Sequence, residues 1–274
     1  MSVEHALAGA RAAGVDRLDA QLLLAAVLDR PRAWLLAHGD ELLEPAQAQG
    51  FAAWCGERAA GVPLAYLLGE KEFHGLTLHV DRNVLVPRPD TETLVDWALE
   101  LLREEPPRPK VIDLGTGSGA IALAIAHAHP EAGVSATDVS GAAIDVARAN
   151  GSRLGLAVEW LQSDWWSALA GRRFDVVLSN PPYVAEADPH LAALEYEPRL
   201  ALTPGGDGLD ALRMIAAGAP QHLHDGGWLL LEHGHDQAGA VQSLLREAGL
   251  RQVATRVDLA GRPRCTAGQW IAPV

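Results

Sequence analysis

The sequence predicts an α/β protein: a doubly wound, mostly parallel seven-stranded sheet, preceded by a small N-terminal helical bundle and a β-hairpin linker. Three observations carry this expectation. From Val111 onward, strand-length apolar runs alternate with helix-length segments. A glycine-rich turn, Gly115-Thr116-Gly117-Ser118-Gly119, stands where the first of those strands meets the first of those helices. Before residue 70 the apolar residues recur at helical spacing.

In the N-terminal region Leu18, Leu22, Leu23, Leu24, Val27 and Leu28 fall near helical spacing, and Leu35, Leu36, Leu42 and Leu43 continue it. Gly14, Pro31 and Pro45 separate the segments. From Phe73 to Val86 the pattern changes to alternation, with Phe73, Leu76, Leu78, Val80, Val84 and Val86 apolar and Asp81-Arg82-Asn83 as the turn signal, which predicts a hairpin. Pro87-Arg88-Pro89 ends it, and Thr91 is placed to cap a helix starting near Glu92. Residues 104–109, rich in proline, form a second soft boundary. Strands are expected at Val111–Leu114, Val134–Thr137, Val158–Leu161, Phe174–Leu178 and Trp228–Leu231. Helices are expected at Ala120–His129, Ala142–Leu154, Leu209–His222 and Gln237–Ala248. The last two strands, near 252–257 and 266–271, leave no room for a helix between them and should pair antiparallel at the sheet edge. The expected domains are a helical one at 1–72, a linker at 73–87 and the sheet domain at 88–274.

With 274 residues, the chain suits one large domain and a smaller one. A net charge of −13 argues against a protein that grips nucleic acid through many phosphates. The absence of a long apolar run argues against a membrane span. The first residues, Met1 to His5, lack signal-peptide character, so the cytoplasm is expected. Cys55 and Cys265 are too few and too far apart for a disulfide framework or a zinc site. His222 with His224, and His233 with His235, have no Cys or acidic cluster to complete a metal site, and no metal is expected.

The glycine loop places a ligand at the carboxyl end of the first strand. Its glycines at 115, 117 and 119 do not follow the Gly-x-Gly-x-x-Gly spacing of a dinucleotide site. A nucleoside carrying an amino acid, with no pyrophosphate, fits better. Asp138, at the end of the second strand, is positioned for ribose hydroxyls, although it could equally cap the next helix. Asp164 and Trp165, after the third strand, supply a polar group and a flat apolar surface, although Trp165 could also be ordinary core.

Asn180-Pro181-Pro182-Tyr183 follows the fourth strand. An amide or aromatic amino nitrogen is a poor nucleophile because its lone pair is delocalised. Methyl transfer to it requires close in-line placement and acceptors aimed at its two N–H groups, where positive charge grows. The Asn180 side-chain oxygen is one such acceptor and the Pro181 carbonyl a second. The prolines stiffen the loop, and Tyr183 offers an aromatic face to a flat group. On this reading Asn180, Pro181 and Tyr183 act on the substrate, and all four residues of the motif bind it.

The chain resembles the HemK/PrmC-type glutamine N5-methyltransferases over nearly its whole length. The resemblance rests on the helical N-terminal region, Pro63-Leu64-Ala65-Tyr66 with Gly69, Val86-Pro87-Arg88-Pro89-Asp90-Thr91-Glu92, the glycine loop, Ser163-Asp164-Trp165, Asn180-Pro181-Pro182-Tyr183, Tyr196-Glu197-Pro198-Arg199 and Leu231-Glu232-His233-Gly234. It implies a class I S-adenosylmethionine-dependent fold. It implies that Gly115 to Gly119, Asp138, Trp165 and Asn180 contact that cofactor. It implies that residues 180–183 hold the glutamine amide of a Gly-Gly-Gln loop in class-1 peptide chain release factors. Position 90, usually Glu in the family, is Asp here. Arg88, Glu92, Glu197 and Arg199 are expected to order loops. A monomer that does not bind nucleic acid directly is expected. Three alternatives stay open: a ribosomal-protein glutamine methyltransferase, an adenine amino methyltransferase acting on nucleic acid, and a non-catalytic binding module.

Overall fold

The computed structural model describes residues 1–104 and 107–273, so Glu105 and Pro106 of the proline-rich boundary lie outside the described residues. The chain divides into two compact units, Met1–Glu70 and Lys71–Val274.

The first unit is helical: α1 (Val3–Ala12), α2 (Arg17–Leu28), α3 (Arg32–Ala37), α4 (Pro45–Ala59) and α5 (Leu64–Leu68). Side chains at the helix starts accept from the free N–H groups there. Ser2 accepts from His5, and Asp16 accepts from Leu18. Val3, Ala6, Leu23, Leu24, Leu35, Phe51 and Cys55 form the core. The apolar spacing overstates burial at three positions, because Leu18, Leu36 and Leu42 are exposed.

Strands β1 (Glu70–Phe73) and β2 (Leu76–His79) form a two-stranded hairpin at the start of the second unit. It lies earlier than the expected 73–87. Its turn is His74-Gly75, with φ of 48° and 77°, the left-handed pair that suits a two-residue hairpin. Asp81-Arg82-Asn83 does turn, with Asp81 accepting from the Asn83 N–H, but no strand follows it. The alternation nonetheless marks burial correctly, since Val80, Val84 and Val86 are all buried.

A single 3₁₀ turn (Pro89–Thr91) leads into α6 (Glu92–Leu102), and the alternating body follows. It runs β3 (Lys110–Leu114), α7 (Ala120–Ala128), β4 (Gly133–Asp138), α8 (Gly141–Leu154), β5 (Glu159–Gln162) and β6 (Phe174–Ser179). Then come a 3₁₀ segment (Pro189–Leu194), α9 (Arg199–Leu202), α10 (Asp210–His222), β7 (Leu223–Glu232), α11 (Ala238–Glu247), β8 (Arg251–Val257) and β9 (Pro263–Gln269). The sheet order is β5-β4-β3-β6-β7-β9-β8. Strands β3 to β7 are parallel, and β9 runs antiparallel between β7 and β8, as the missing crossover helix requires.

Alternate residues of each central strand enter opposite cores. Val111, Val176, Leu178 and Leu230 share one core with α6 and α7, whereas Ile112, Val177, Leu229 and Leu231 share the other with α10 and α11. The chain order reverses at β3, which pairs with β4 on one side and β6 on the other. That switch point opens a crevice at the carboxyl ends of the strands.

Candidate active site

Both sequence motifs step off the sheet at this crevice. Leu114 and Ser179 are register partners, so Gly115 and Asn180 leave neighbouring strand ends together. The Ser179 hydroxyl donates to the Leu114 carbonyl at 2.6 Å and ties the two ends. Gly115 and Thr116 donate their N–H groups to the Thr137 carbonyl, both at 2.8 Å, which sets the loop against the tip of β4.

A cavity of about 470 Å³ occupies the crevice. Its lining includes Gly115, Thr116, Gly117, Ser118, Asp138, Asp164, Trp165, Asn180 and Pro182. Gly119, Pro181 and Tyr183 are not among its lining residues. Gly119 instead begins α7 with φ of 86°, and a Cβ there would come within 3.1 Å of Leu123 and Trp160 and 3.2 Å of Ala147. Close helix packing is what that glycine permits.

Asp138 does more than one job. Its Oδ2 accepts from the Gly117 N–H and its Oδ1 from the Ser140 N–H, both at 2.9 Å. The cap of α8 is Ser140, whose hydroxyl accepts from Ala143. Asp138 therefore braces the glycine loop and still faces the cavity. Burial raises its pKa, against the N–H groups of Ser140, Gly117 and Val139 that hold it down. Behind the loop, Asp113 is fully buried, and burial pushes it up to about 7 despite a 2.6 Å hydrogen bond from Thr116. Trp165 lies against Gly115, and its backbone is left-handed with φ of 44°. Ser163 holds that turn: its hydroxyl donates to the Trp165 carbonyl at 2.9 Å and accepts from the Ala168 N–H at 3.0 Å.

The target loop is gripped from three sides. The Asn180 side-chain nitrogen donates to the Thr91 hydroxyl at 3.2 Å. The Tyr183 hydroxyl donates to Glu232 at 3.1 Å, and its ring packs on the core beneath α10 and α11. The Tyr183 carbonyl accepts from the Gln237 side chain at 2.9 Å. Gly208 lies so near that a Cβ would meet the Tyr183 oxygen at 2.4 Å. Tyr183 is half-buried and does not line the cavity, and its hydroxyl and carbonyl anchor the loop. Thr91 also departs from its expected role, since its side chain makes no cap hydrogen bond to α6. Thr91 and Glu232 lie in motifs that carry the resemblance but are assigned no site role from the sequence, and Gly208 and Gln237 are not singled out at all.

Arg88 and Glu197 pair in the segment over the cavity, and Glu197 Oε2 also accepts from the Val86 N–H at 3.1 Å. Arg199 instead meets Glu186 at 3.5 Å, both exposed. Glu92 accepts from the His74 N–H and so secures the hairpin turn. Asp90 pairs with Arg264 at 3.1 Å. Three of the four histidines have structural partners: His222 stacks on Trp166, His224 meets Asp175, and His233 bonds Gly234 and Thr266. Among the described residues, no group of three or more His, Cys, Asp or Glu side chains could hold a metal ion.

Known proteins share both the sequence and the fold. Residues 91–249 match the methyltransferase small domain, and residues 3–69 match the PrmC N-terminal domain. A release factor glutamine methyltransferase of Xylella fastidiosa is 52% identical over 267 residues, covering 96% of this chain and 97% of that protein. One of Bordetella pertussis is 51% identical over 258 residues, covering 93% and 95%. In fold, the chain is similar to a methyltransferase from Pyrococcus furiosus, with a TM-score of 0.53 at 18% identity over 72% of this chain and 90% of that one. With both regions matched and half of all residues shared along almost the entire length, this chain belongs to the release factor glutamine methyltransferase family.

Proposed function

We propose that this protein methylates the side-chain amide nitrogen of the glutamine in the Gly-Gly-Gln loop of class-1 peptide chain release factors. The observation that carries this reading is Asn180 at the cavity wall with its nitrogen committed to Thr91. Its oxygen is thereby left to accept from a substrate N–H.

The methyl donor is S-adenosylmethionine, and the cavity suits it. Its volume lies in the ~300–1,000 Å³ range of small-molecule sites. Asp138 can accept from ribose hydroxyls, Trp165 and Val139 offer apolar surface to a base, and Gly115 to Ser118 allow close backbone approach. Asp164 and Asn180 complete the polar lining. When bound, this sulfonium supplies an electrophilic methyl group. The chain's own residues do the rest by placement. Asn180 and the Pro181 carbonyl accept from the two N–H groups of the target amide and stabilise the positive charge that grows on its nitrogen. The stiff Pro181-Pro182 pair holds both acceptors at fixed spacing. Such placement replaces a strong base as the source of rate.

The helical unit serves as the docking domain for the protein substrate. Support comes from Leu18, Leu36 and Leu42, which it exposes. The same reading has the protein act in the cytoplasm, as a monomer, without direct contact to nucleic acid. No helix among the described residues is long and apolar enough to cross a membrane.

The test uses labelled S-adenosylmethionine with three separate acceptors: a release factor, a ribosomal protein fraction and duplex DNA. Label is expected on the release-factor glutamine alone. Transfer to DNA or to a ribosomal protein, with none to the release factor, overturns the assignment.

A further inference from the structure

One buried amide beside the site has no part in the transfer as derived. Asn150 stands in α8 and is 0% exposed. Asparagine is a middling helix former, and a buried polar group needs partners. Asn150 finds them on two distant segments. Its oxygen accepts from the His79 N–H at 2.7 Å, and its nitrogen donates to the His79 carbonyl at 2.9 Å. The same nitrogen donates to the Ser118 carbonyl at 3.0 Å. Arg153 gives the oxygen a second donor at 3.3 Å. Both N–H groups and both acceptor positions of the side chain are thereby filled.

The two segments that Asn150 joins lead to the same cavity. Ser118 belongs to the glycine loop and lines the cavity wall. His79 ends β2, and the chain beyond it turns at Asp81 and lines the cavity with Asn83, Val84 and Leu85. The helix and the loop leave no slack between them. A Cβ on Gly119 would come within 3.2 Å of Ala147, which lies three residues before Asn150 on α8.

We propose that Asn150 is a positioning residue for the cofactor: it ties the exit of the glycine loop to the end of β2, so that a cofactor seated against the loop also orders the hairpin and the wall that follows it. The proposal rests on reading this cavity as the seat of S-adenosylmethionine. Gly117 and Gly119 have φ of 55° and 86°, so the loop joins no regular ladder and individual bonds must fix it. Its entry is held from β4, by the Thr137 carbonyl and the Asp138 side chain. Its exit is held from α8. The peptide plane between Ser118 and Gly119 is gripped at both ends, the carbonyl by Asn150 and the N–H by the Thr116 carbonyl at 2.9 Å. At its other end the Asn150 amide pairs with both the N–H and the carbonyl of one residue, as a neighbouring antiparallel strand would. A ligand that favours the tied arrangement therefore steadies both partners of the tie, because such coupling is reciprocal.

The experiment uses the full chain and S-adenosylhomocysteine, with Kd read by isothermal titration and amide exchange by mass spectrometry. Residues 76–80 do not line the cavity, so a ligand there influences them through the protein. In the unaltered protein, saturating ligand should slow exchange over 76–80 about fivefold more than over α11, which reports general stabilisation. Asn150→Ala should raise Kd about tenfold and remove the extra slowing over 76–80 at a ligand concentration that saturates the variant. Val134→Ala controls for lost stability: Val134 is buried at the start of β4, the far end from Asp138, and its variant should keep Kd within about twofold. Slowing over 76–80 no greater than over α11 in the unaltered protein overturns the proposal. A Kd for Asn150→Ala within about twofold of normal also overturns it, as does an equal loss of affinity in Val134→Ala. Should Asn150→Ala fail to fold, exchange in the unaltered protein decides alone. Asp138→Ala tests the reading beneath: normal binding in that variant removes the cavity as the cofactor's seat, whereas weakened binding there beside a normal Asn150→Ala removes this proposal only.

Discussion

The Asn180 side-chain nitrogen and the Thr91 hydroxyl meet at 3.2 Å across 89 residues of chain. The contact joins the turn before α6 to the loop after β6, and it orients the amide at the cavity wall. Removing the Asn180 acceptor should therefore damage the chemical step. By analogy with the loss of one oxyanion-hole donor, about 2.7–4 kcal/mol of transition-state stabilisation is at stake. Asn180→Ala should reduce kcat by ~10²–10³-fold. Steady-state kinetics at saturating cofactor and release factor check this, and a loss confined to KM would contradict it.

The other end of the loop depends on Gly208. Its φ is 81°, and an added Cβ would meet the Tyr183 carbonyl oxygen at 2.4 Å, the Ala185 nitrogen at 3.0 Å and the Gln237 side chain at 3.1 Å. Two of these are backbone atoms, which cannot step aside. Gly208→Ala combines ~1–3 kcal/mol of overpacking with ~1–2 kcal/mol of left-handed backbone strain. Gly206 is the control: its φ is 51°, and its Cβ would meet only the end of the Asp210 side chain, at 3.7 Å. Thermal melts should show a drop for Gly208→Ala roughly twice that for Gly206→Ala, and turnover should collapse only in the former.

Glu232 makes the stability of the fold sensitive to pH. Burial pushes its carboxyl up to about 7, against the hydrogen bond from Tyr183 and the charge of Arg264, with Asp90 adding to the rise. Cys265, its register partner on β9, and His233, next in the chain, complete the surroundings. A glutamate in the unfolded chain titrates near ~4.3. The folded value is the higher one, so the group's contribution to stability is complete below the unfolded value and is lost as pH rises through about 7. The full shift corresponds to roughly 4 kcal/mol. Asp113 titrates in the same range, so the comparison must be made against Glu232→Gln. Between about pH 5 and 8, urea denaturation should show the variant gaining about 2–3 kcal/mol on the unaltered protein.

These residues also mark where the sequence could be read and where it could not. Val111–Leu114 and Phe174–Ser179 are apolar runs bounded by Gly115 and Asn180, so strand, crevice and motif are all visible locally. Thr91 is hidden by a sufficient local explanation: a threonine ahead of a helix reads as its cap, and the partner it actually holds is distant in sequence. Glu232 is a lone acid at the end of an apolar strand, and nothing in its neighbours says that it is 1% exposed. The hairpin is displaced because His74 adopts a left-handed backbone that composition does not announce, whereas Asp81-Arg82-Asn83 is a stronger turn signal that joins no second strand. Local patterns report elements and loop chemistry; long-range hydrogen bonds, which orient the site, follow only from the sheet order.

Trp165 offers a last measurable consequence. A bulky residue at φ of 44° is held against its own preference. The holding group is the Ser163 hydroxyl, buried in the turn with bonds to the Trp165 carbonyl, the Ala168 N–H and the Ser167 hydroxyl. Ser163→Ala removes all three and leaves Trp165 free to relax away from Gly115, where it forms a wall of the cavity. Each neutral hydrogen bond contributes ~0.5–1.5 kcal/mol, and ~1 kcal/mol of left-handed strain would be released in partial compensation. The net loss in positioning the wall should weaken cofactor binding about fivefold to tenfold, or ~1–1.4 kcal/mol. The amide acceptors at Asn180 and Pro181 are on a different loop, so kcat at saturating cofactor should stay within about threefold. Isothermal titration with S-adenosylhomocysteine separates the two effects: unchanged affinity with lowered kcat would place Trp165 in the chemistry instead of the binding wall.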